Sequence, residues 1–218
     1  MATAQTTAGV RRFDPYPWLK PGVVIGALVP LALLIAAATR GRLGADPIAI
    51  ALNRLGLLAL ILMLACLAAT PLRLVFGLTW PLRIRRLLGL LAFFYASLHF
   101  LLYAWIDQGW AWSDISEDIA KRPFITVGFF ALLLLVPLAA TSNARARRWL
   151  GPLRWQRLHR LLYLAALLAV VHFFWRVKRD VTEPVMYGLA LGLLLWIRLR
   201  ARIRKRSAGM RAGERAGG

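Results

Sequence analysis

The chain has 218 residues, is 60% hydrophobic with a mean hydropathy of +0.61, and carries a net charge of +20. That is too apolar for an ordinary water-soluble domain. The basic residues cluster between long apolar runs instead of covering one surface, which argues against nucleic-acid binding and for a multi-pass membrane protein.

Residues 1–20 are polar and contain Asp14, Pro15 and Pro17. No short apolar core with a small-residue cleavage site follows, so this segment reads as a cytoplasmic N-terminal extension rather than a cleaved signal. Six stretches then approach the roughly 20 apolar residues that a spanning helix needs. They are 21–39, 48–70, 86–106, 124–140, 158–175 and 184–199. Pro30 lies within the first, where neighbouring helices must satisfy the carbonyl it frees. Cys66, the one cysteine, lies inside the second, so no internal disulfide is possible. The fifth opens on a basic, half-polar turn at headgroup depth. Residues 200–218 are rich in Gly, Ala and Arg and read as a basic, disordered cytoplasmic tail. The expected fold is an all-α, six-span membrane bundle over residues 21–199. No GxGxxG or Walker pattern is present, so no nucleotide-binding unit is expected.

Lys and Arg in the loops set the orientation. The N-terminal segment, the 70–86 and 141–160 segments and the stretch from 198 onward hold 21 of the 29 basic residues. The alternate loops hold 8, together with seven of the nine acids. Both termini are therefore expected in the cytoplasm, with the basic clusters touching anionic lipid.

The histidines are His99, His159 and His172. A polar ring inside a bilayer is costly unless partnered, so an intramembrane ionisable residue points to function. Spans three and five both run outward, which places His99 and His172 at one depth on the outer side. Axial haem ligation needs one imidazole on each face of the iron, from two helices at one depth. This pair meets that condition. His159 precedes His172 by 13 residues, about 20 Å along a helix, and sits among basic residues. The position facing it on span three is Arg85. Arginine stays protonated and is a poor iron ligand, though it pairs readily with a haem propionate or another anion. Thirteen residues turn an ideal helix by about 220°, so His159 and His172 face apart unless span five bends. The residues leave His159 open: a second ligand, or a contact to a propionate, a quinone or a flavin. Aromatic side chains flank these positions (Phe93, Phe94, Tyr95, Phe100, Tyr103, Tyr163, Phe173, Phe174, Trp175). Gly89, Ala92, Ala96 and Ser97 leave room for a planar group or a close helix. No catalytic side chain is expected.

Several stretches carry a resemblance. They are Thr70-Pro71-Leu72-Arg73, Arg85-Arg86-Leu87-Leu88-Gly89-Leu90 running to Tyr95-Ala96-Ser97-Leu98-His99, Asp118-Ile119-Ala120-Lys121-Arg122-Pro123-Phe124-Ile125-Thr126-Val127-Gly128, Pro137-Leu138-Ala139-Ala140-Thr141-Ser142, Trp155-Gln156-Arg157-Leu158-His159-Arg160-Leu161-Leu162-Tyr163 and His172-Phe173-Phe174-Trp175. Together they resemble the MsrQ (YedZ) family of haem-binding membrane subunits over residues 21–199. That family is similar to the membrane core of ferric reductases and NADPH oxidases, where histidines on two helices hold stacked haems. The resemblance implies a ferric reductase-like fold in a bacterial inner membrane, with haem b linked to His99, His159 and His172, and FMN as a further cofactor. It implies quinol electrons passed to a periplasmic molybdopterin-containing subunit that reduces methionine sulfoxide in oxidised envelope proteins. Arg85 stands where the larger superfamily has a fourth histidine, so a complete second haem is not implied.

The external loop over residues 107–123, with Asp107, Asp114, Glu117 and Asp118, is the docking candidate for such a partner; the plainer reading is a solvated loop made acidic by topology. Two other function classes stay open. One is a self-sufficient, quinol-dependent ferric or cytochrome b561-like reductase. The other is a transporter that uses intramembrane histidines for proton coupling, against which stand the absence of paired intramembrane acids and of inverted half-repeats.

Overall fold

The computed structural model describes residues 16–177 and 179–216. Most of the N-terminal extension, up to residue 15, lies outside the described residues, as do Lys178, Gly217 and Gly218. The described chain is helical: α1 (Leu19–Thr39), α2 (Pro47–Phe76), α3 (Trp80–Leu101) continued by a π-helical segment (Leu102–Asp107), α4 (Trp112–Lys121), α5 (Pro123–Ala140), α6 (Ala144–Leu158), α7 (Leu161–Arg176) and α8 (Thr182–Ala216). Five elements are long and apolar enough to cross a membrane: α1, α2, α3 with its π extension, α5 and the part of α8 up to Arg204. The bent pair α6 and α7, 41° apart at its break, makes a sixth candidate crossing when taken as one span.

Local chemistry explains the ends. Asp46 caps α2 by accepting the Ala49 N–H at 2.9 Å, Pro47 occupies the first turn, and Gly77 closes the helix at φ 69°. Pro81 and Pro123 begin α3 and α5, where a missing N–H costs nothing. Asn143 caps α6 through the Ala146 N–H at 2.7 Å. Pro30, Pro71 and Pro137 lie inside helices without ending them, as bundle helices allow when neighbours satisfy the freed carbonyls.

Two elements depart from the sequence reading. The fifth span does not run straight through His159: the helix breaks at His159 and Arg160. The segment from residue 200 onward, expected as a disordered tail, continues α8 to Ala216. It holds no proline, and Ala and Arg are strong helix formers.

The elements pack as antiparallel neighbours, α2 chiefly on α3 and α5 chiefly on α7. Leu60, Met63, Leu67, Leu88, Ala92, Leu135, Leu162, Ala165 and Leu191 form the main core, contributed by α2, α3, α5, α7 and α8. A second core around Tyr95 joins α1 to α2 and α3. Lipid gives no hydrophobic drive to helix association, so close approach depends on small residues. Ala92, Ala165 and Ala166 are fully buried. Ile25, Leu33, Phe130, Leu189 and Leu193 face outward, as lipid contact requires. The bundle has two ends, one carrying α4 and the other carrying α6.

Candidate haem site

His99 is on the last turn of α3 and His172 on the last full turn of α7, both at the α4 end. Their ring centroids are 6.2 Å apart and their planes are 81° apart. Two imidazoles on opposite sides of one metal, each bonded at about 2 Å, have centroids roughly 6 Å apart. The spacing therefore fits a single iron between them.

Each ring is held from behind in the same way. His99 Nδ1 lies 2.9 Å from the Leu52 carbonyl oxygen, and His172 Nδ1 lies 2.6 Å from the Phe124 carbonyl oxygen. A carbonyl accepts only, so Nδ1 carries the proton and donates. Nε2 of each ring is left with its lone pair, the form that ligates a metal. Four residues beyond each carbonyl, on the same helix face, stands a glycine. A Cβ at Gly56 would come within 3.2 Å of His99 Nδ1, and one at Gly128 within 2.6 Å of His172 Nδ1. The glycines make the space in which the rings lie.

A cavity of about 260 Å³ adjoins both rings. Its inner wall is apolar, with Leu60, Met63, Ala131 and Leu135, and Phe100, Phe129 and Phe173 add aromatic faces. Its rim at the α4 end carries Arg122, Arg176, Tyr103 and Asp107. Among the described residues no group of three or more His, Cys, Asp or Glu side chains is placed to hold a bare metal ion. Two imidazoles at this spacing, beside a cavity with apolar and aromatic walls, would suit an iron whose other ligands come from a macrocycle.

His159 is not brought to this pair. It caps α6 at the opposite end and stacks on Trp155, with centroids 3.8 Å apart. Its Nδ1 lies 3.1 Å from the Trp155 carbonyl oxygen, and its Nε2 is buried without a partner. Arg85 lies close enough to His159 and to Arg198 for direct charge interaction, and its carbonyl accepts the Cys66 thiol at 3.2 Å. Arg198 donates to the Tyr163 hydroxyl at 2.5 Å and to the Leu67 carbonyl, and its Nε is buried without a partner. The expectation that Arg85 stands near His159 thus agrees with the fold. Sequence reasoning missed Gly56, Gly128, Arg122, Arg176 and Arg198. Only Arg176 had a plain signal: it follows His172 by four residues and so shares its helix face.

The acidic loop is also more ordered than expected, since residues 112–121 form α4. Ile115 anchors it, Glu117 pairs with Lys121, and Asp118 pairs with Arg122 at 3.1 Å, each at helical i,i+4 spacing. Asp118 also accepts the Tyr103 hydroxyl at 3.0 Å.

Residues 55–170 match the family described as the ferric reductase like transmembrane component. Similar chains include three proteins named protein-methionine-sulfoxide reductase heme-binding subunit MsrQ. The protein from Deinococcus radiodurans is 50% identical over 181 residues, covering 83% of this chain and 89% of the relative. That from Rhodospirillum rubrum is 51% identical over 165 residues, 76% of this chain and 79% of the relative. That from Xanthomonas campestris pv. campestris is 49% identical over 176 residues, 77% and 79%. With this identity across the membrane bundle and the paired histidines inside it, the chain belongs to the MsrQ family of ferric reductase-like membrane proteins.

Proposed function

We propose that this protein is the haem-binding membrane subunit of a methionine sulfoxide reductase system, carrying electrons across the bundle to a separate reductase subunit. The observation that carries this reading is the His99–His172 pair, 6.2 Å apart across an apolar cavity with each Nδ1 tied to a carbonyl. Haem b, bound there, supplies a one-electron relay; the protein supplies ligands, a dry pocket and the polarity that tunes the potential. His99 and His172 would hold its iron. His159, Arg85 and Arg198 form a separate polar site at the α6 end, where electrons enter from membrane quinol or from a flavin such as FMN. The buried, unpartnered His159 Nε2 is the acceptor that a donor hydroxyl or amide from such a molecule would meet.

In this reading both termini are cytoplasmic in the bacterial inner membrane, and the α4 end faces the periplasm. A periplasmic molybdopterin-containing partner docks on that end and reduces methionine sulfoxide in oxidised envelope proteins. The charge distribution supports the orientation, since the acids gather at the α4 end and the arginines at the other.

Absorption spectra of the detergent-purified protein, oxidised and dithionite-reduced, test the site. The wild type is expected to give a low-spin b-type spectrum that His99→Ala and His172→Ala abolish. His159→Ala is expected to keep that spectrum while slowing its reduction by quinol. A wild type that stays colourless after haem is supplied would overturn the proposal.

A further inference from the structure

Arg176 follows His172 by one helical turn, is half-buried, and lines the cavity between the two histidines and the α4 end. No carboxylate, carbonyl or hydroxyl pairs with it among the described residues. An unpaired guanidinium at this depth is costly and calls for an anion. Arg122, from the start of α5, lies on the same rim. It gives its Nε to Asp118 at 3.1 Å, which leaves its two terminal nitrogens as donors. Asp107 is the carboxylate on the lining, and it bonds the neighbouring Gln108 amide at 3.2 Å. Away from this rim the wall is Leu60, Met63, Ala131 and Leu135. The cavity is therefore polar and cationic along one edge and apolar along the rest.

A b-type haem has the same polarity: two carboxylates on one edge, and methyl and vinyl groups around the others. We infer that Arg176 and Arg122 bind the two haem propionates, and that this fixes the carboxylate edge toward the α4 end and the vinyl edge toward the bundle centre. The assignment rests on the His99–His172 haem reading and adds its orientation. Planar guanidinium and carboxylate pair by two parallel hydrogen bonds, an interaction stronger than a neutral hydrogen bond. Lysine would not reproduce that geometry.

The test compares haem b with its dimethyl ester, which keeps the iron and the macrocycle and removes both negative charges. Haem-depleted full-length protein is titrated with each, followed by the Soret band. The wild type is expected to bind haem b at least about tenfold more tightly than the ester, the scale of one charge-assisted pair. In Arg122→Gln/Arg176→Gln that preference is expected to fall below about twofold, because haem b binding weakens while ester binding does not. The axial spectrum should persist in the double variant, and its midpoint potential should fall as the nearby positive charge is removed. A wild type with equal affinity for both porphyrins overturns the assignment without any variant. So does a double variant that keeps the full preference and the wild-type potential. Failure of the wild type to bind either porphyrin would instead overturn the haem reading itself.

Discussion

The two histidines proposed as haem ligands are set by backbone carbonyls and missing side chains. Leu52 and Gly56 on α2 receive His99, and Phe124 and Gly128 on α5 receive His172, each by a carbonyl and a glycine four residues apart. The tolerances differ. A methyl at Gly128 would meet three ring atoms of His172 at 3.0 Å or less, whereas at Gly56 the nearest ring atom of His99 is 3.2 Å away. Forcing a carbon into a packed site costs about 1–3 kcal/mol. Gly128→Ala is therefore expected to lower haem retention by about tenfold, read as the ratio of Soret to protein absorbance, and Gly56→Ala to lower it much less. Equal retention in the two variants would mean that the rings are not held by these clefts. The histidines were legible in the sequence because a polar ring is conspicuous in an apolar run. Their glycine supports were not, since glycine is common in membrane helices and nothing local says which one faces a ring. Arg85 was legible as the residue opposite His159, but Arg198, 39 residues beyond His159 in sequence, enters that neighbourhood only through packing.

At the scale of elements, two irregular pieces flank regular spans. The π-helical turn 102–107 begins three residues after His99 and shifts the phase of the helix before the chain turns through Gly109 and Trp110, both at positive φ. Such turns are often found at functional sites. The break at His159 and Arg160 separates α6 from α7, so the phase between His159 and His172 is not that of one ideal helix. Apolar run length located the five unbroken spans and the α7 part of the bent pair, yet it carries no signal for a π turn or a break. It also could not foresee α4, whose helix depends on pairing between charged side chains. Asp118 there is a structural residue, with its side chain only 15% exposed and bonds to Tyr103 and Arg122. Asp118→Asn is expected to cost about 1–3 kcal/mol in denaturant unfolding, with slowed partner reduction as a secondary effect. Asp114→Asn with Glu117→Gln, which removes only the exposed Glu117–Lys121 pair, is expected to cost at most about 1 kcal/mol in unfolding and still slow electron delivery to the partner. If that pair of changes left delivery at the wild-type rate, docking on the exposed face of α4 would be ruled out.

For the whole molecule, the order of the helices places residues 40–46 and 179–181 at the α4 end and the C-terminal part of α8 at the other. The orientation can be read by tagging. A cysteine at Gly41, in a chain with Cys66→Ala, is expected to react with a membrane-impermeant maleimide in intact cells after outer-membrane permeabilisation. A cysteine at Ser207 should react only after the inner membrane is opened. The reverse pattern would invert the proposed topology and the direction of electron flow. Composition and loop charge were enough to set the class of fold and this expected topology, because bilayer thickness and charge bias act on the sequence directly. The pairing of α2 with α3 and of α5 with α7 was not legible, because helices in lipid associate through local shape rather than through overall hydrophobicity.

The hydrogen bonds behind His99 and His172 also bear on speed. Both rings are anchored by groups of the main chain, within helices whose own bonds hold them still. Ligands fixed in this way would keep one geometry around a haem iron held between them. The nuclear rearrangement that accompanies each electron would then be small, and a haem bound here would supply electron transfer with a low reorganisation energy.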